Sequence, residues 1–359
     1  MKQLRPINQR YPLLTRALPY LDLAALPTPL SRQSLTVGGQ PVSLYVKRDD
    51  VTAALYGGNK VRKLEYALQP ALAKQCTGIA TFGAAGSNHA LATALFSREL
   101  GLSCTCFLGH QAVTPYAGAT LNRHIEIGTR LVEFGGSPAS RIRLLREHLS
   151  GRKNWVVPLG GSSWRGTAGF VNAAFELVDQ LRANDWPMPE RIYIATGTMG
   201  TAAGLALGLA LAGSDCEVQA IRVSEDFVTN EAGMARLLGK TLAMLQRLDP
   251  TVRLEQGRSV RIRIRHEFFG AGYARSNALT DEAVLVARDE LGINLETTYT
   301  GKAMAALLHD LQQRQSAAAP WLFWNSYNSQ TLDVPTAAPI DAGALPESFL
   351  RYFKRDRQE

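Results

Sequence analysis

The chain has 359 residues, of which 46% are hydrophobic and 19% are charged, so it can build a buried core and is not a disordered protein. Its 39 lysines and arginines outnumber its 31 aspartates and glutamates, which gives a formal net charge of +8 at pH 7. An excess this small, spread over this length, does not indicate a nucleic-acid partner, and a site for a small anion is the better interpretation.

The N-terminus and the cysteines bear on location. The segment MKQLRPINQRYPLLTR lacks a continuous apolar run and predicts no signal peptide, and TAAGLALGLALAG is too short to cross a bilayer. The four cysteines form no C-x-x-C pair and are typical of buried thiols in a reducing compartment. The six histidines show no metal-ligand spacing. We therefore expect a cytoplasmic protein with no membrane partner and no metal.

Strand and helix patterns alternate along the chain from about Gly78. Strand patterns occur in GIATFG, SCTCFLG, RLVEFG, NWVVPLG, RIYIATG and EVQAIRVS. Helical spacing occurs in NHALATALFSREL, TLNRHIEI, RIRLLREHL, TAGFVNAAFELVDQLR and GTAAGLALGLALA. This alternation predicts α/β layers around mainly parallel sheets. Ligands of such sheets bind beyond the carboxyl ends of the strands, which is where GAAGSN, PLGGSS and TGTMGT lie.

A later strand, RSVRIRIRH, places Arg261, Arg263 and Arg265 on one side. We interpret this side as a solvated face, or one paired with acidic neighbours, in preference to a nucleic-acid site.

A glycine-rich turn, TGTMGTAAGL, follows the strand RIYIA and opens a helix. Gly197 and Gly200 permit tight turns, and Thr198 and Thr201 add hydroxyl donors to the N–H groups of the helix start, which together suit a phosphate. The turn matches neither G-x-x-x-x-G-K-[ST] nor G-x-G-x-x-G. It therefore indicates either a phosphorylated cofactor that is not a nucleotide or a purely structural turn.

Lys60 follows Gly57, Gly58 and Asn59 at the start of a predicted helix. The positive end of the helix dipole, together with burial, would lower the pKa of its amine. A lysine of this kind can form a Schiff base, whereas most lysines are solvated surface groups.

A second turn, GAAGSNHA, brings Ser87, Asn88 and His89 to a strand-to-helix junction. Ser87 is suited to cap the helix, and the helix N–H groups are suited to bind a carboxylate, with Asn88 as a neutral donor.

Six segments occur in an order that resembles one family: KRDDVTAALYGGNKVRKLE, GAAGSNHALATA, GGSSWRGTAGFVNAAFEL, ATGTMGTAAGL, GAGY and TYTGKAM. From Pro27 to Ser326 the chain resembles the pyridoxal-phosphate enzymes of fold type II, in the branch of D-cysteine desulfhydrase and 1-aminocyclopropane-1-carboxylate (ACC) deaminase. The resemblance implies a tryptophan synthase β-like α/β fold with two open, twisted, mostly parallel sheets and flanking helices. It also implies pyridoxal 5'-phosphate, a homodimer, and a small domain of residues 56–179 inserted in a large one of residues 1–55 and 180–359.

The resemblance assigns roles at matching positions. Lys60 matches the Schiff-base lysine, and Asn88 matches the residue that bonds the cofactor's 3-hydroxyl. Ser87 matches the group near the substrate carboxylate, and His89 completes the same turn. Two catalytic tyrosines are matched by Tyr273 and Tyr299. The phosphate loop comprises Gly197, Thr198, Met199, Gly200 and Thr201.

Other positions depart from the family pattern or match it less closely. Ser326 falls where the family has a hydroxyl beside the pyridine nitrogen. Met199 stands where the phosphate loop of the family has a glycine. Ser163 and Trp164 replace an Asn-Ala pair, Ala271 replaces a proline, and Tyr327 and Asn328 replace a glycine pair. Thr300 stands where the ring-opening deaminase has glutamate. The residues that we expect to bind the substrate are Ser87, Asn88, His89, Trp164, Tyr299 and Thr300.

A hydroxyl holds a proton on the pyridine nitrogen less well than a carboxylate, which favours β-elimination over ring opening. The expected reaction converts a small β-substituted amino acid, preferably D-cysteine, to pyruvate, ammonia and hydrogen sulfide. ACC deaminase activity and a β-replacement synthase using the same aminoacrylate intermediate are the alternatives. A cofactor-binding protein without turnover is disfavoured by the intact Lys60, Asn88 and Tyr299.

Overall fold

The computed structural model describes residues 4–314, 320–329 and 341–353. Contacts within the chain form two compact units. The larger unit holds the described residues up to Tyr66 and those from Ser162 to Ser329. The smaller unit holds Ala67–Gly161 and the C-terminal residues 341–353. The sequence prediction placed residues 341–353 in the large domain, and the predicted boundaries at 56 and 179 stay a prediction.

The strands of the described chain are numbered in order: β1 (Leu30–Val37), β2 (Gln40–Arg48), β3 (Gly78–Ala84), β4 (Ser103–Gly109), β5 (Arg130–Glu133), β6 (Asn154–Val156), β7 (Arg191–Thr196), β8 (Glu217–Arg222), β9 (Ile262–Arg265) and β10 (Trp321–Asn325). The helices are α1 (Pro6–Arg10), α2 (Leu14–Ala17), α3 (Lys60–Ala73), α4 (Asn88–Glu99), α5 (Pro115–Glu126), α6 (Pro138–Leu149), α7 (Trp164–Ala183), α8 (Gly200–Leu211), α9 (Glu231–Leu248), α10 (Ala278–Leu291) and α11 (Thr300–Gln312). Short 3₁₀ helices occupy Asp49–Val51, Leu159–Gly161, Ala342–Ala344 and Glu347–Phe353.

The described residues of each unit form one sheet. The larger unit has the order β1-β2-β10-β7-β8-β9, in which only the β1–β2 hairpin is antiparallel. The smaller unit has the parallel order β5-β4-β3-β6. The predicted α/β fold with two mostly parallel sheets is confirmed. The six strands and five helices of the predicted alternation are β3 to β8 and α4 to α8. The helix predicted at Lys60 is α3, and the later strand RSVRIRIRH contains β9.

The sheet of the larger unit is covered on both faces, since successive side chains of a strand point to opposite sides. Leu44 and Val46 pack in the cluster that includes residues of α10 and α11. Tyr45, between them, packs in the cluster that includes residues of α7 and α8. Because β2, β10, β7 and β8 are parallel, their carboxyl ends meet at one edge of the sheet, and this edge carries the site.

The three arginines predicted on one side of a strand differ in environment; Arg261 precedes β9, and Arg263 and Arg265 lie in it. Arg261 and Arg263 are exposed, whereas Arg265 is buried and donates to the carboxylate of Asp310 at 2.6 and 3.0 Å. Pairing with an acidic neighbour therefore explains the inner arginine.

The smaller unit builds its core from Ala80, Phe107 and Val132, with Phe82 and Phe134 packed against them. The C-terminal residues group with this unit because Phe349 and Tyr352 are buried and contact the ring of His110, after β4.

Within residues 4–314, 320–329 and 341–353, no helix combines the length and apolar character needed to cross a membrane. The thiols of Cys76, Cys104, Cys106 and Cys216 are free.

Candidate cofactor-binding and catalytic site

Lys60 is the first residue of α3, and a turn that only glycine can form precedes it. A Cβ on Gly57 would lie 1.9 Å from the carbonyl oxygen of Asp50, and Gly58 has φ +90°. The N–H of Gly57 donates to Oδ1 of Asn328 at 2.7 Å. The chain therefore reverses tightly after β2 and presents Lys60 at the carboxyl edge of the sheet.

A buried ionic network fixes the start of α3. The guanidinium of Arg62 donates to both carboxylate oxygens of Asp49 at 2.8–3.0 Å and to both of Glu176 at 2.9 Å. Lys47 Nζ also donates to Glu176, at 2.7 Å. Burial alone would raise the pKa of Glu176, but the two cations lower it to about 2. Arg62 thereby ties α3 to Asp49, at the end of β2, and to α7.

The amine of Lys60 has the ionisation that a Schiff-base lysine needs. Desolvation by burial lowers its pKa from 10.5 to about 8. A larger fraction of neutral, nucleophilic amine is therefore present near neutral pH than for a solvated lysine.

The predicted phosphate loop lies at the end of β7 and the start of α8. Ser162, from outside the loop, contacts the Thr198 hydroxyl at 2.7 Å and accepts from the Gly200 N–H at 3.2 Å. Asn59 Nδ2 donates to Oγ1 of Thr201 at 3.0 Å, so the residue before Lys60 is bonded to the loop. Met199 has φ +64°, which explains why a glycine suits this position.

Lys63 is a site residue that the sequence analysis missed. It is buried, and its Nζ donates to the Ser162 hydroxyl at 3.1 Å. A Cβ on Gly200 would lie 2.6 Å from Ser162 Oγ and 3.0 Å from Lys63 Nζ, so the glycine leaves a cradle between these donors. Desolvation, with a contribution from the charge of Lys60, holds the pKa of Lys63 well below 10.5. Its spacing of three residues from Lys60, on one helix face, was the available signal.

The two predicted tyrosines come together near the loop. Their hydroxyls share a short hydrogen bond, and the Tyr273 and Tyr299 rings lie 5.9 Å apart at 79°. A Cβ on Gly197 would lie 3.9 Å from Cε1 of Tyr299. Burial raises the pKa of Tyr273 to about 12, although the bond to Tyr299 opposes the shift. Tyr273 therefore stays protonated at neutral pH.

The start of α11 contains a buried carboxylate that the sequence analysis also missed. Glu296 accepts from the backbone N–H groups of Thr298, Tyr299 and Thr300 at 2.7–2.8 Å. The Thr300 hydroxyl donates to the same carboxylate at 3.2 Å. Burial raises the pKa of Glu296. Thr300 is thus held by Glu296, and its contact with substrate stays a prediction.

Lys302, on the first turn of α11, supports Tyr273. Its buried amine donates to the carbonyl oxygens of Phe269 at 2.5 Å and Gly272 at 3.1 Å. These carbonyls belong to the turn that carries Tyr273, so Lys302 fixes that turn.

Two further predicted residues lie in the larger unit. Ser326 is buried after β10, and its carbonyl oxygen accepts from the Asn59 N–H at 3.1 Å. Trp164 begins α7, packs against the cluster that contains Ile7 and Leu14, and has the guanidinium of Arg165 4.4 Å from its ring. The substrate contact assigned to Trp164 stays a prediction.

The turn with Ser87, Asn88 and His89 lies in the smaller unit, between β3 and α4. Ser87 is the N-cap of α4 and accepts from the Ala90 N–H at 3.2 Å. Tyr116 donates to Oδ1 of Asn88 at 2.5 Å. His89 is buried, and its Nε2 lies 2.9 Å from Oγ1 of Thr81. The capping role predicted for Ser87 is confirmed.

In the larger unit, an amine of lowered pKa and a glycine turn with cationic and hydroxyl donors share one sheet edge. This arrangement suits a phosphorylated aldehyde. Residues 21–325 match the family described as pyridoxal-phosphate dependent enzymes. The chain belongs to that family.

Several known proteins are similar to this chain over most of its length. The chain is 32% identical over 318 residues to a D-cysteine desulfhydrase of Salmonella typhi, covering 84% of this chain and 91% of that one. It is 31% identical over 315 residues to the enzyme of that name from Salmonella paratyphi A, with the same coverage. A crystal structure of an ACC deaminase homologue superposes with a TM-score of 0.74 at 27% identity, covering 91% of this chain and 95% of that one. A fungal L-serine ammonia-lyase from Rhizomucor miehei shares the fold, with a TM-score of 0.55 at 18% identity, covering 84% of this chain and 93% of that one.

The family and these relatives identify the chain as a pyridoxal-phosphate-dependent lyase. The predicted family, cofactor and enzyme class are confirmed.

Proposed function

We propose that the protein catalyses α,β-elimination of D-cysteine, which with one water gives pyruvate, ammonia and hydrogen sulfide. Two relatives named D-cysteine desulfhydrase match most of the chain at 31–32% identity and support this substrate. The observation that carries the proposal is a lysine amine with a pKa near 8, on the same sheet edge as a phosphate cradle and a tyrosine pair.

The residues of this chain fit pyridoxal phosphate. The cradle at Gly200 lies among the Ser162 hydroxyl, the Lys63 amine and the N-terminus of α8, which together provide cationic and neutral donors for a phosphate. When bound, the cofactor supplies the electron sink that allows a Cα–H bond to ionise. Lys60 holds its aldehyde carbon, and the loop from Gly197 to Thr201 holds its phosphate.

The removal of the α-proton is assigned to Lys60, and hydrogen bonding to the leaving group is assigned to the tyrosines. The Lys60 amine, once displaced by the substrate amine, accepts the α-proton, because its lowered pKa leaves it partly neutral near pH 7. Tyr273 and Tyr299 donate hydrogen bonds to the departing sulfur. Because burial raises the pKa of Tyr273 to about 12, this residue keeps its proton while the sulfur leaves as hydrosulfide.

The smaller unit is assigned the substrate carboxylate and the cofactor's 3-oxygen. The carboxylate binds at the Ser87 turn, where the N-terminal N–H groups of α4 favour an anion. Asn88 bonds the 3-oxygen, and the Tyr116 hydroxyl on Oδ1 fixes the orientation of its amide. His89 contacts the substrate from the same turn.

Ser326 is assigned to the pyridine nitrogen, which favours elimination over the ring opening of ACC. ACC deaminase activity remains the alternative because a homologue of that enzyme superposes well. The hydroxyl of Thr300, where the ring-opening deaminase has glutamate, is bonded to Glu296.

A homodimer and a cytoplasmic location are further proposals. Free thiols at four positions suit a reducing compartment. Size-exclusion chromatography with light scattering tests the dimer.

The experiment is a substrate panel on the cofactor-loaded enzyme: D-cysteine, L-cysteine, β-chloro-D-alanine and ACC, with the 2-oxo acid as readout. We expect pyruvate from D-cysteine and from the chloro compound, and little 2-oxobutanoate from ACC. Faster turnover of ACC than of D-cysteine would overturn the proposal.

A further inference from the structure

The turn assigned to the substrate carboxylate is bonded on both sides of Ser87 by a neighbouring segment of the smaller unit. This segment, residues 110–116, comprises the residues between β4 and α5 together with the first two residues of α5, and is called the β4–α5 loop below. Gln111 accepts from the N–H of Gly86 at 2.8 Å through Oε1. Tyr116 donates to Oδ1 of Asn88 at 2.5 Å. The β4–α5 loop therefore bonds the residue on each side of Ser87.

The contact with Gln111 is close enough that a β-carbon at Gly86 would force a shift of a few tenths of an ångström. A Cβ on Gly86 would lie 3.0 Å from Nε2 and 3.2 Å from Oε1 of Gln111, and 3.3 Å from Cα of Ala117. These distances are tighter than ordinary van der Waals contact. The Gln111 amide thus lies directly against the backbone of Gly86 and limits its movement.

The C-terminal 3₁₀ helix Glu347–Phe353 in turn holds Gln111. The buried Tyr352 hydroxyl accepts from the Gln111 N–H at 2.9 Å and donates to its carbonyl oxygen at 3.2 Å. It also lies 3.3 Å from Nδ1 of His110. A single hydroxyl therefore fixes the peptide groups on both sides of the Gln111 side chain.

We propose that Gln111 is a positioning residue for the carboxylate-binding turn and that Tyr352 sets the position of Gln111. The inference rests on the proposed function, in which the Ser87 turn binds the substrate carboxylate. Anion binding at a helix N-terminus depends on the directions of a few N–H groups, so the restraint on Gly86 controls affinity for the carboxylate. The C-terminal helix thereby acts on substrate binding without touching substrate.

The test compares two ligands that differ in the carboxylate. Glycine and methylamine both react with the cofactor through an amine and lack a β-leaving group, so each binds without elimination. Their dissociation constants are measured on the cofactor-loaded enzyme from the shift of its visible absorption band. The ratio of the two constants reports the contribution of the carboxylate and does not depend on D-cysteine turnover.

Three variants separate positioning from general damage. Gln111→Met keeps the length of the side chain and removes the acceptor for Gly86, and Tyr352→Phe keeps the ring and removes the hydroxyl. Ser348→Ala is the matched control: its hydroxyl anchors the same helix to Glu133 at 2.6 Å, and no bond to Gln111 is involved.

Gln111→Met should misalign the N–H groups that bind the carboxylate. We expect the binding of glycine to weaken about tenfold, the loss typical of one hydrogen bond to a charged group, and the binding of methylamine to stay unchanged. Tyr352→Phe should weaken glycine a few-fold, and the double variant should match Gln111→Met alone, because both changes act through one residue. Ser348→Ala should leave both constants as in the wild type.

If Gln111→Met lost the same affinity for glycine as for methylamine, or lost no affinity for glycine, the inference would be overturned. A wild-type enzyme that binds glycine no more tightly than methylamine would also overturn it. If glycine selectivity falls as expected while the wild type leaves D-cysteine intact, the proposed substrate fails and the positioning role stands.

Discussion

Replacing Lys63 with methionine should affect the apoprotein and the cofactor complex in opposite ways. Lys63 is buried, its pKa lies well below 10.5, and its amine lies at the Gly200 cradle. In the apoprotein, burial makes a charge at this position costly, and methionine has a similar length without the amine. The melting temperature of the apoprotein should therefore stay constant or rise.

With the cofactor bound, the same amine bonds a phosphate. A hydrogen bond between charged groups contributes about 1.5–3 kcal/mol, so Lys63→Met should raise the cofactor Kd about 10- to 150-fold. Lys63 binds phosphate only as the ammonium ion, and its apoprotein pKa is lowered, so binding takes up a proton. Wild-type affinity should therefore fall as pH rises through that lowered pKa, and Lys63→Met should lose this dependence.

The assay is fluorescence titration of the apoprotein with pyridoxal phosphate between pH 6 and 9, with a parallel thermal melt. Lys240→Met, an exposed position on α9, is the control and should match the wild type. An unchanged cofactor Kd in Lys63→Met would show that the Lys63 amine does not bind the phosphate. A weaker Kd accompanied by a large drop in apoprotein melting temperature would assign Lys63 a structural role.

Three further predictions follow from single contacts. Because the pKa of Lys60 is about 8, about 9% of its amine is neutral at pH 7, whereas a pKa of 10.5 would leave about 0.03% neutral. The rate of cofactor incorporation should therefore level off just above pH 8. A rate that keeps rising beyond pH 10 would contradict this expectation. Lys302→Met should release the turn that carries Tyr273. Steady-state kinetics should then show a kcat about tenfold lower, and titration should show an unchanged cofactor Kd. A changed Kd with an unchanged kcat would contradict the role assigned to Lys302. Gly57→Ala should destabilise the protein by about 3 kcal/mol or more in urea unfolding, since its Cβ would meet Asp50. Gly101→Ala, with φ +71° and open space, should cost about 1 kcal/mol. Equal losses would show that the contact with Asp50 costs no more than the strain of a left-handed backbone.

Much of the fold could be predicted because its signals are local. The alternation from β3 to β8 follows from the periodicity of each segment, and the turns before α4 and α8 follow from their glycines and hydroxyls. The β1–β2 hairpin was omitted, although it carries a recognisable signal. Its alternating strands flank Gly38 and Gly39, whose φ values of +57° and +77° are those of a two-residue hairpin turn.

The missed site residues depend on contacts between distant segments. Lys63 acquires its role from Ser162, which is 99 positions away in sequence. Glu296 is an ordinary acidic residue until the chain folds back and its carboxylate meets three N–H groups at the start of α11. Tyr352 contacts Gln111 across 241 positions. Spacing and composition carry no trace of these long-range pairings, although the three-residue spacing from Lys60 places Lys63 on the same helix face. Lys60 itself can be predicted because its glycine turn lies next to it in the sequence.

The most direct test of the account is the stoichiometry of products from D-cysteine on the cofactor-loaded enzyme. Pyruvate, ammonia and sulfide are quantified in the same reaction, with Lys60→Ala as the control. The account predicts equal amounts of the three products from the wild type and none above background from the variant. Sulfide released without pyruvate, or equal turnover by Lys60→Ala, would contradict it.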